Sequence, residues 1–187
     1  MAFLTQKIIA NTKTEVTVPD FFKTMTFTNT DASADVTIDV YITEQLGTKL
    51  RQAAAYENTT PTKVNLSAGY VITSSSQAIV VDTTNATDDI FLNEKVWLST
   101  GALVGTCTAV GSTTGMTFGG GLKVDLPNNT DLYTGARFYI LNNVVIPNGS
   151  SLQLTSSDIG VDSFAYKMYI QSGDSDGQID IITRNDQ

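Results

Sequence analysis

The sequence lacks the residues on which much enzymatic chemistry depends. There is no histidine among its 187 residues, and the only cysteine is Cys107. A lone cysteine cannot form an internal disulfide, and its thiol has no imidazole nearby that could activate it as a nucleophile. We therefore expect Cys107 to be a small, buried, apolar side chain.

Charge and long apolar runs are also scarce. Charged residues make up 16% of the chain, and 19 acidic residues against 11 basic ones give a net charge of −8. Such a chain repels the phosphates of a nucleic acid. No run approaches the roughly 18 apolar residues of a membrane-spanning helix, and Met1–Lys13 lacks the pattern of a signal peptide. We expect a soluble protein, synthesised in a cytoplasm, that binds neither nucleic acid nor membrane.

Threonine, serine, asparagine and glycine are abundant, and 41% of the residues are hydrophobic. This composition disfavours helices and favours strands joined by turns. The clearest example is Arg137–Leu154, where a strand-like alternation continues to Ile146 after an interruption at Asn142-Asn143. Pro147-Asn148-Gly149 then supplies turn residues before a second strand begins. The sequence predicts an all-β protein.

The strand-like segments fall into three blocks. The first block supplies about three strands and the last about four, and seven is the count of an immunoglobulin-like sandwich. We predict that residues 1–44 and 136–187 form one discontinuous immunoglobulin-like β-sandwich. Residues 62–135, with Trp97 as core anchor, are predicted to form an inserted small β-barrel or sandwich. A single elongated barrel using all strands is the rival arrangement.

Residues 45–61 are predicted to be a linker or a short helix. The segment contains good helix formers, and Leu46 and Leu50 are four residues apart, as on one helix face. Gly47 weakens a helix there, and no residue caps it convincingly. A short helix and an ordered loop both remain open.

Three acidic or glycine-rich motifs resemble binding sites but are better explained as turns. Gly173–Gly177 followed by Asp180 resembles a calcium loop but lacks the full ligand set. Asp88-Asp89 near Asp82 could gather a cation, although exposed loop carboxylates usually remain solvated. Gly119-Gly120-Gly121 is not followed by the lysine and hydroxyl residue of a phosphate-binding loop. We therefore predict no catalytic residue, no metal ligand and no cofactor, and hence no enzyme.

Several segments carry a family resemblance. FTNTDASADVTIDVYI together with YILNNVVIPNGSSLQL, and the ending FAYKMYIQSG…IDIITR, resemble a β-sandwich module of virion proteins from tailed bacteriophages, especially marine and cyanobacterial ones. The turn of that module is matched by Ile146, Pro147, Gly149 and Leu152. The middle piece VWLSTGALVGTCTAVGSTTGMTFGGGL is similar to small β-modules of such proteins.

The resemblance implies a non-enzymatic structural protein of the virion, such as a capsid decoration or cement protein, a neck protein or a tail-associated protein. Its partners would be other capsid, connector or tail proteins and further copies of itself. The alternative is a carbohydrate- or receptor-binding adhesin module, because Tyr41, Tyr139 and Tyr169 are candidates for an exposed aromatic face. Packing of the sheet surface against a neighbouring domain is the more ordinary explanation of these tyrosines. A polysaccharide-degrading tail component is a third possibility.

Overall fold

The structure is a computed structural model that describes residues 3–9, 13–18, 22–52, 62–82, 91–111, 114–160, 165–172 and 177–185. These residues contain no helix and are organised by fourteen strands, which confirms the all-β prediction. The strands are β1 (Phe3–Ile9), β2 (Lys13–Val16), β3 (Phe22–Asn29), β4 (Val36–Glu44), β5 (Leu50–Gln52), β6 (Gln77–Val80), β7 (Lys95–Trp97), β8 (Leu103–Val110), β9 (Gly115–Phe118), β10 (Tyr133–Gly135), β11 (Arg137–Ile146), β12 (Ser151–Thr155), β13 (Tyr166–Ser172) and β14 (Gln178–Asn185).

The chain divides into two compact units. Unit 1 comprises Met1–Thr43 and Arg137–Gln187, and unit 2 comprises Glu44–Ala136. The boundaries predicted from the sequence lie at 44/45 and 135/136, one residue away from this division on each side. Unit 2 therefore occupies the connection between β4 and β11.

Unit 1 is a β-sandwich of two four-stranded antiparallel sheets. Sheet A has the order β1-β14-β3-β12, and sheet B has the order β11-β4-β13-β2. Apolar side chains from both sheets form one buried cluster, which includes Ile8, Phe27 and Ile181 from sheet A and Ile38, Val40 and Ile170 from sheet B. These residues alternate with polar ones along each strand, as expected where one face of a sheet meets the core.

The pairing of these eight strands is nested from the chain ends inward. Strand β1 pairs with β14, β2 with β13, β3 with β12 and β4 with β11. Successive pairs lie alternately in sheet A and sheet B. A long antiparallel ribbon of hairpins rolled up in this way is a jelly roll, an eight-stranded double sheet.

The sandwich prediction is thus confirmed, but its immunoglobulin-like detail is not, because that arrangement has seven strands in another order. The sequence predicts about three strands in the first block, because Gln6–Ala10 and Thr14–Val18 resemble a first hairpin or one bent strand. In the structure, β1 and β2 lie in different sheets. The sequence also predicts that the inward residues of Asp35–Thr43 face those of Phe138–Ile140 across the core, but β4 and β11 pair side by side in sheet B.

Unit 2 contains one six-stranded antiparallel sheet with the order β5-β10-β7-β8-β9-β6. Its core is a separate buried cluster that includes Val96, Val104, Met116, Phe118 and Leu132. The strands predicted near Lys63, Tyr70 and Leu126 are present only as isolated bridges. The described strands of unit 2 belong to one sheet with a buried core of its own, so the inserted domain is all-β, and its small barrel or sandwich form stays a prediction.

The short-helix alternative for residues 45–61 is wrong for its first half. Residues 46–49 form bends, and Leu50–Gln52 form β5, which pairs with β10. The helical preference of these side chains is weak compared with the backbone hydrogen bonds and packing that a sheet supplies. Residues 53–61 lie outside the described residues.

We predict that unit 1 folds without unit 2. Thr43 and Arg137 pair directly, and the Glu44 amide donates to the Ala136 carbonyl at 3.0 Å. These positions suit a two-residue hairpin turn. Replacing residues 45–135 by Asn-Gly is expected to give a folded, cooperatively unfolding β protein, measured by circular dichroism and dispersed amide resonances. A chain of residues 44–136 should separately retain a buried Trp97, seen in its fluorescence. Molten or aggregated products from the shortened chain would contradict the prediction.

Candidate functional site

The side chains singled out for chemistry from the sequence do not converge in the described residues. Cys107 lies on β8, is fully buried and is not disulfide-bonded, so its predicted burial is confirmed. Asp82 accepts a hydrogen bond from the Lys63 amide at 2.8 Å, whereas Asp88-Asp89 lie outside the described residues. Residues 173–176 of the calcium-like motif also lie outside them. No group of three or more Asp, Glu or Cys able to hold a metal ion occurs in the described part of the chain.

Gly119-Gly120-Gly121 forms a tight turn, as the turn interpretation predicted. The Gly121 amide donates to the Phe118 carbonyl at 3.1 Å. Gly121 has a φ of +73°, and a Cβ placed on it would lie 2.0 Å from the Thr73 carbonyl oxygen. The neighbouring Lys123 ammonium donates to the Gly120 carbonyl at 2.8 Å. Glycine at position 121 thus permits a close approach between two backbone segments of unit 2.

In the described chain, hydrogen bonds from nearby groups lower the pKa of three carboxyl groups, those of Asp31, Glu44 and Asp158. Glu44 is 2% exposed and accepts from the amides of Leu46, Gly47 and Thr48 and from the Thr48 hydroxyl, at 2.8–3.2 Å. Burial would raise the pKa of Glu44, but these hydrogen bonds outweigh it and hold the pKa below its ordinary value of 4.5. Each of these donors favours the ionised form, so Glu44 acts as an anchor for the loop.

Asp31 and Asp158 play the same part in unit 1. Backbone hydrogen bonds from Ser33 and Ala34 lower the pKa of Asp31. The Thr155 hydroxyl, at 2.6 Å, and the Thr155 amide, at 2.7 Å, lower the pKa of Asp158. A carboxylate that is stabilised in its ionised form is a weaker base and so is poorly suited to accept a proton in catalysis. The hydrogen bonds that stabilise these two carboxylates hold the loop residues that donate them.

The three tyrosines predicted to form an aromatic face do come together on sheet B. The rings of Tyr41 and Tyr139 lie 5.4 Å apart, and those of Tyr41 and Tyr169 lie 5.8 Å apart. Arg137 stands 4.7 Å from the centre of the Tyr41 ring, and Lys13 stands 4.4 Å from that of Tyr169. However, Tyr41 and Tyr169 are 1% and 0% exposed. These two rings therefore contribute to no exposed face, and they serve as packing and cation–π partners.

A shallow groove of about 190 Å³ runs beside the junction of β2 and β13. Its lining includes Glu15, Lys167 and Tyr166. The Lys167 ammonium lies 2.9 Å from a Glu15 carboxylate oxygen, so the two charges of the groove bind each other. The groove is smaller than the clefts of roughly 300–1,000 Å³ that usually hold small ligands.

The outer face of sheet A is rich in short polar side chains. Thr24, Thr26 and Thr28 on β3 stand opposite Thr155, Gln153 and Ser151 on β12. The Thr28 and Ser151 hydroxyls lie 2.9 Å apart, and the Gln153 amide donates to the Thr26 hydroxyl at 3.3 Å. Short, hydrogen-bonded side chains lose little entropy when another surface covers them. This face is therefore suited to contact with a protein.

Side chains satisfy the outward backbone groups at several sheet edges. At the β2 edge, the Gln6 amide donates to the Glu15 carbonyl and accepts from the Thr17 amide, both at 3.2 Å. At the β6 edge, the Val80 amide donates to the Tyr70 hydroxyl at 2.8 Å. Such closure protects an edge from pairing with other chains.

The sequence pattern did not reveal Gln6, Tyr70 or Asp158 as edge-closing residues. Alternation assigns a side chain to a face but does not show which edge it approaches. The one available signal was for Asp158, because Ser156-Ser157-Asp158 was recognised as a turn and aspartate commonly hydrogen-bonds to turn amides.

Comparison with protein-family models, with curated protein sequences and with solved structures gives no match for this chain. The described residues contain no helix that is long and apolar enough to cross a membrane.

Proposed function

We propose that the protein is a non-enzymatic structural component of a tailed-phage particle. It would act as a capsid decoration, neck or tail-associated protein through contacts with other virion proteins and with copies of itself. The observation that carries this proposal is the nested eight-strand pairing of unit 1. Jelly rolls of this kind build viral capsid domains, although they also occur in lectin domains and cupins. The step from fold to role is an analogy.

The resemblance residues occupy places that fit this proposal. Ile146 ends β11, Pro147 and Gly149 form the turn, and Leu152 lies on β12. The Ser150 amide donates to the Pro147 carbonyl at 3.0 Å, and Gly149 has a φ of +68°. The turn joins sheet B to sheet A, so the shared motif marks a crossover of the jelly roll.

The surface of unit 1 supports a role in protein contacts. The outer face of sheet A presents hydroxyl and amide groups next to Ile182, which is 38% exposed. By strand register the same face also carries Asp180 and Arg184 on β14, opposite Thr28 and Thr24. A surface of mixed polar, charged and isolated apolar groups resembles a non-obligate protein interface more than a ligand pocket. The adhesin alternative is weaker than it was from sequence, because Tyr41 and Tyr169 are buried and offer no stacking surface to a sugar.

Quantitative mass spectrometry of purified particles from the phage that encodes the chain tests the proposal. We expect the protein in the particles at a fixed copy number that is a multiple of the local symmetry. Its absence from particles, together with its presence in the infected-cell lysate, would exclude a virion role. Binding of the isolated protein to a glycan array would favour the adhesin, and release of reducing sugar would favour a degrading enzyme.

A further inference from the structure

Strand β12 is an edge of sheet A whose outward backbone groups can be assigned. The Asn29 amide donates to the Ser150 carbonyl and the Ser156 amide donates to the Lys23 carbonyl, both at 3.0 Å. In an antiparallel ladder, these bonds flank non-hydrogen-bonded pairs, here Ser151 with Thr28 and Thr155 with Thr24. The amide and carbonyl groups of Ser151, Gln153 and Thr155 therefore point away from β3, toward the open side of β12.

One end of this edge is closed within the chain. The Thr155 amide donates to the Asp158 carboxylate at 2.7 Å, and the Thr155 carbonyl accepts from the Asp158 amide at 3.0 Å. Ser151 and Gln153 remain, and the described part of the chain supplies no partner for their outward backbone groups. The open edge thus consists of two residues that flank Leu152.

We propose that β12 pairs antiparallel with β12 of a second copy of this chain, around a two-fold axis at Leu152. In this register, Ser151 of each copy lies opposite Gln153 of the other and exchanges two backbone hydrogen bonds with it, giving four in all. Each Thr155 then falls opposite Gly149 of the other copy, so its closure by Asp158 removes none of these four hydrogen bonds. The number and spacing of the open groups match this symmetric pairing, and two-fold contacts are the commonest in protein oligomers.

The composition of the strand also favours a second copy as the partner. Ser151–Thr155 contains no charged residue, although the chain carries a net charge of −8. Two copies of β12 therefore meet without opposing like charges, which destabilise a sheet when they are directly opposite. Leu152 is half-buried and packs against the core of unit 1. At the axis it would meet its own copy in a close, non-hydrogen-bonded pair, which adds apolar contact.

The contact would be weak in solution. Stable interfaces bury roughly 800 Å² on each partner, and a strand of five residues presents less than this. A trapping experiment is therefore more informative than chromatography at low concentration. The inference goes beyond the proposed function and does not depend on it, because two-fold pairing can be detected whether or not the protein is found in particles.

The test uses the full chain with Leu152→Cys under mild oxidation. Directly opposite residues of a non-hydrogen-bonded pair lie about 4.5 Å apart at Cα, within the range of a disulfide. We expect a covalent dimer on non-reducing gels, formed at least fivefold faster than by Gln153→Cys. The Gln153→Cys thiol is more exposed, but in this register it lies two residues from its symmetry mate. Cys107 is fully buried and does not compete. Faster dimer formation by Gln153→Cys would overturn the proposal.

A second variant separates pairing from chance collision. Gln153→Pro removes an outward amide that β3 does not use, and proline is tolerated at such edge positions. Added to Leu152→Cys, it should reduce the rate of cross-linking at least fivefold, whereas the matched change Gln153→Thr should not. Equal rates in the two double variants would overturn the proposal. If Leu152→Cys does not fold, the pairing is tested instead by sedimentation equilibrium, which measures dimer formation by the unmodified protein and by Gln153→Pro over a range of concentrations. Concentration-dependent dimer only in the unmodified protein supports the pairing, and no difference between them overturns it.

Discussion

Replacing Gly121 with alanine is expected to destabilise unit 2 by about 3 kcal/mol or more. The added Cβ would lie 2.0 Å from the Thr73 carbonyl oxygen and 2.7 Å from the Ser75 carbonyl oxygen. Both obstacles are backbone atoms, so no side-chain rotation relieves the clash, and the two segments must move apart. The positive φ of +73° adds the cost of a left-handed conformation for a residue with a Cβ.

Gly149 provides a matched control for this change. Its φ is +68°, but a Cβ there would meet no atom within 4 Å. Gly149→Ala should therefore cost only about 1 kcal/mol, the left-handed conformation alone. Denaturant unfolding followed by the fluorescence of Trp97, the single tryptophan, reports unit 2, and circular dichroism follows the whole chain, including unit 1. Equal effects at the two glycines would show that the close approach at Thr73 is absent.

Removing the Glu44 side chain is expected to destabilise unit 2 by roughly 2–4 kcal/mol. Glu44→Ala leaves the amides of Leu46, Gly47 and Thr48 without the buried carboxylate that accepts their hydrogen bonds and holds the loop. Glu44→Gln retains one acceptor oxygen but turns a donor toward these amides, so it should also be destabilising. As a control, Asp131→Asn breaks the half-exposed ion pair with Lys63 and should cost less than about 1 kcal/mol.

The Glu44 anchor should also make unit 2 sensitive to acid. Its pKa is lowered from 4.5 in the folded chain, so the unfolded chain binds the proton more tightly. The stabilisation from Glu44 is therefore fully present above the unfolded pKa and is lost as the pH falls through the folded pKa. We expect the denaturant concentration at the midpoint of unfolding, followed by Trp97 fluorescence, to decrease in the unmodified protein as the pH is lowered below about 4.5. In Glu44→Gln the same decrease in pH should lower the midpoint less. Parallel pH profiles for the two proteins would contradict this role.

The local pattern of the sequence predicted strands better than it predicted their partners. Alternation along Asp35–Thr43 predicts that Val36, Ile38, Val40 and Ile42 face the core. The first three are fully buried, and Ile42 is partly buried against the core. Alternation carries no information about which strand lies next in a sheet, so the crossover between β1 and β2 was missed. The helix considered around Leu50 was wrong because β10 supplies a pairing partner from residues far along the chain.

For the candidate surfaces too, the sequence pattern indicates the face on which a side chain lies but not what covers that face. The grouping of Tyr41, Tyr139 and Tyr169 was anticipated from their shared position in strands, since residues of one parity face one side of a sheet. Their burial depends on what covers that side, and composition does not reveal this. Closure of the β2 edge by Gln6 requires the tertiary arrangement of sheets A and B, so no local pattern indicates it.

The nested pairing of unit 1 has a consequence for the order in which the protein matures. In both sheets, each strand from before residue 45 has as neighbours only strands from after residue 136. The first four strands therefore have nothing to bond with while the ribosome is still adding the remainder. Unit 2 is complete in sequence once residue 136 has emerged, so it can fold first and hold the two flanking segments together. Strand β1 acquires its partner only when the last strand, β14, has been synthesised.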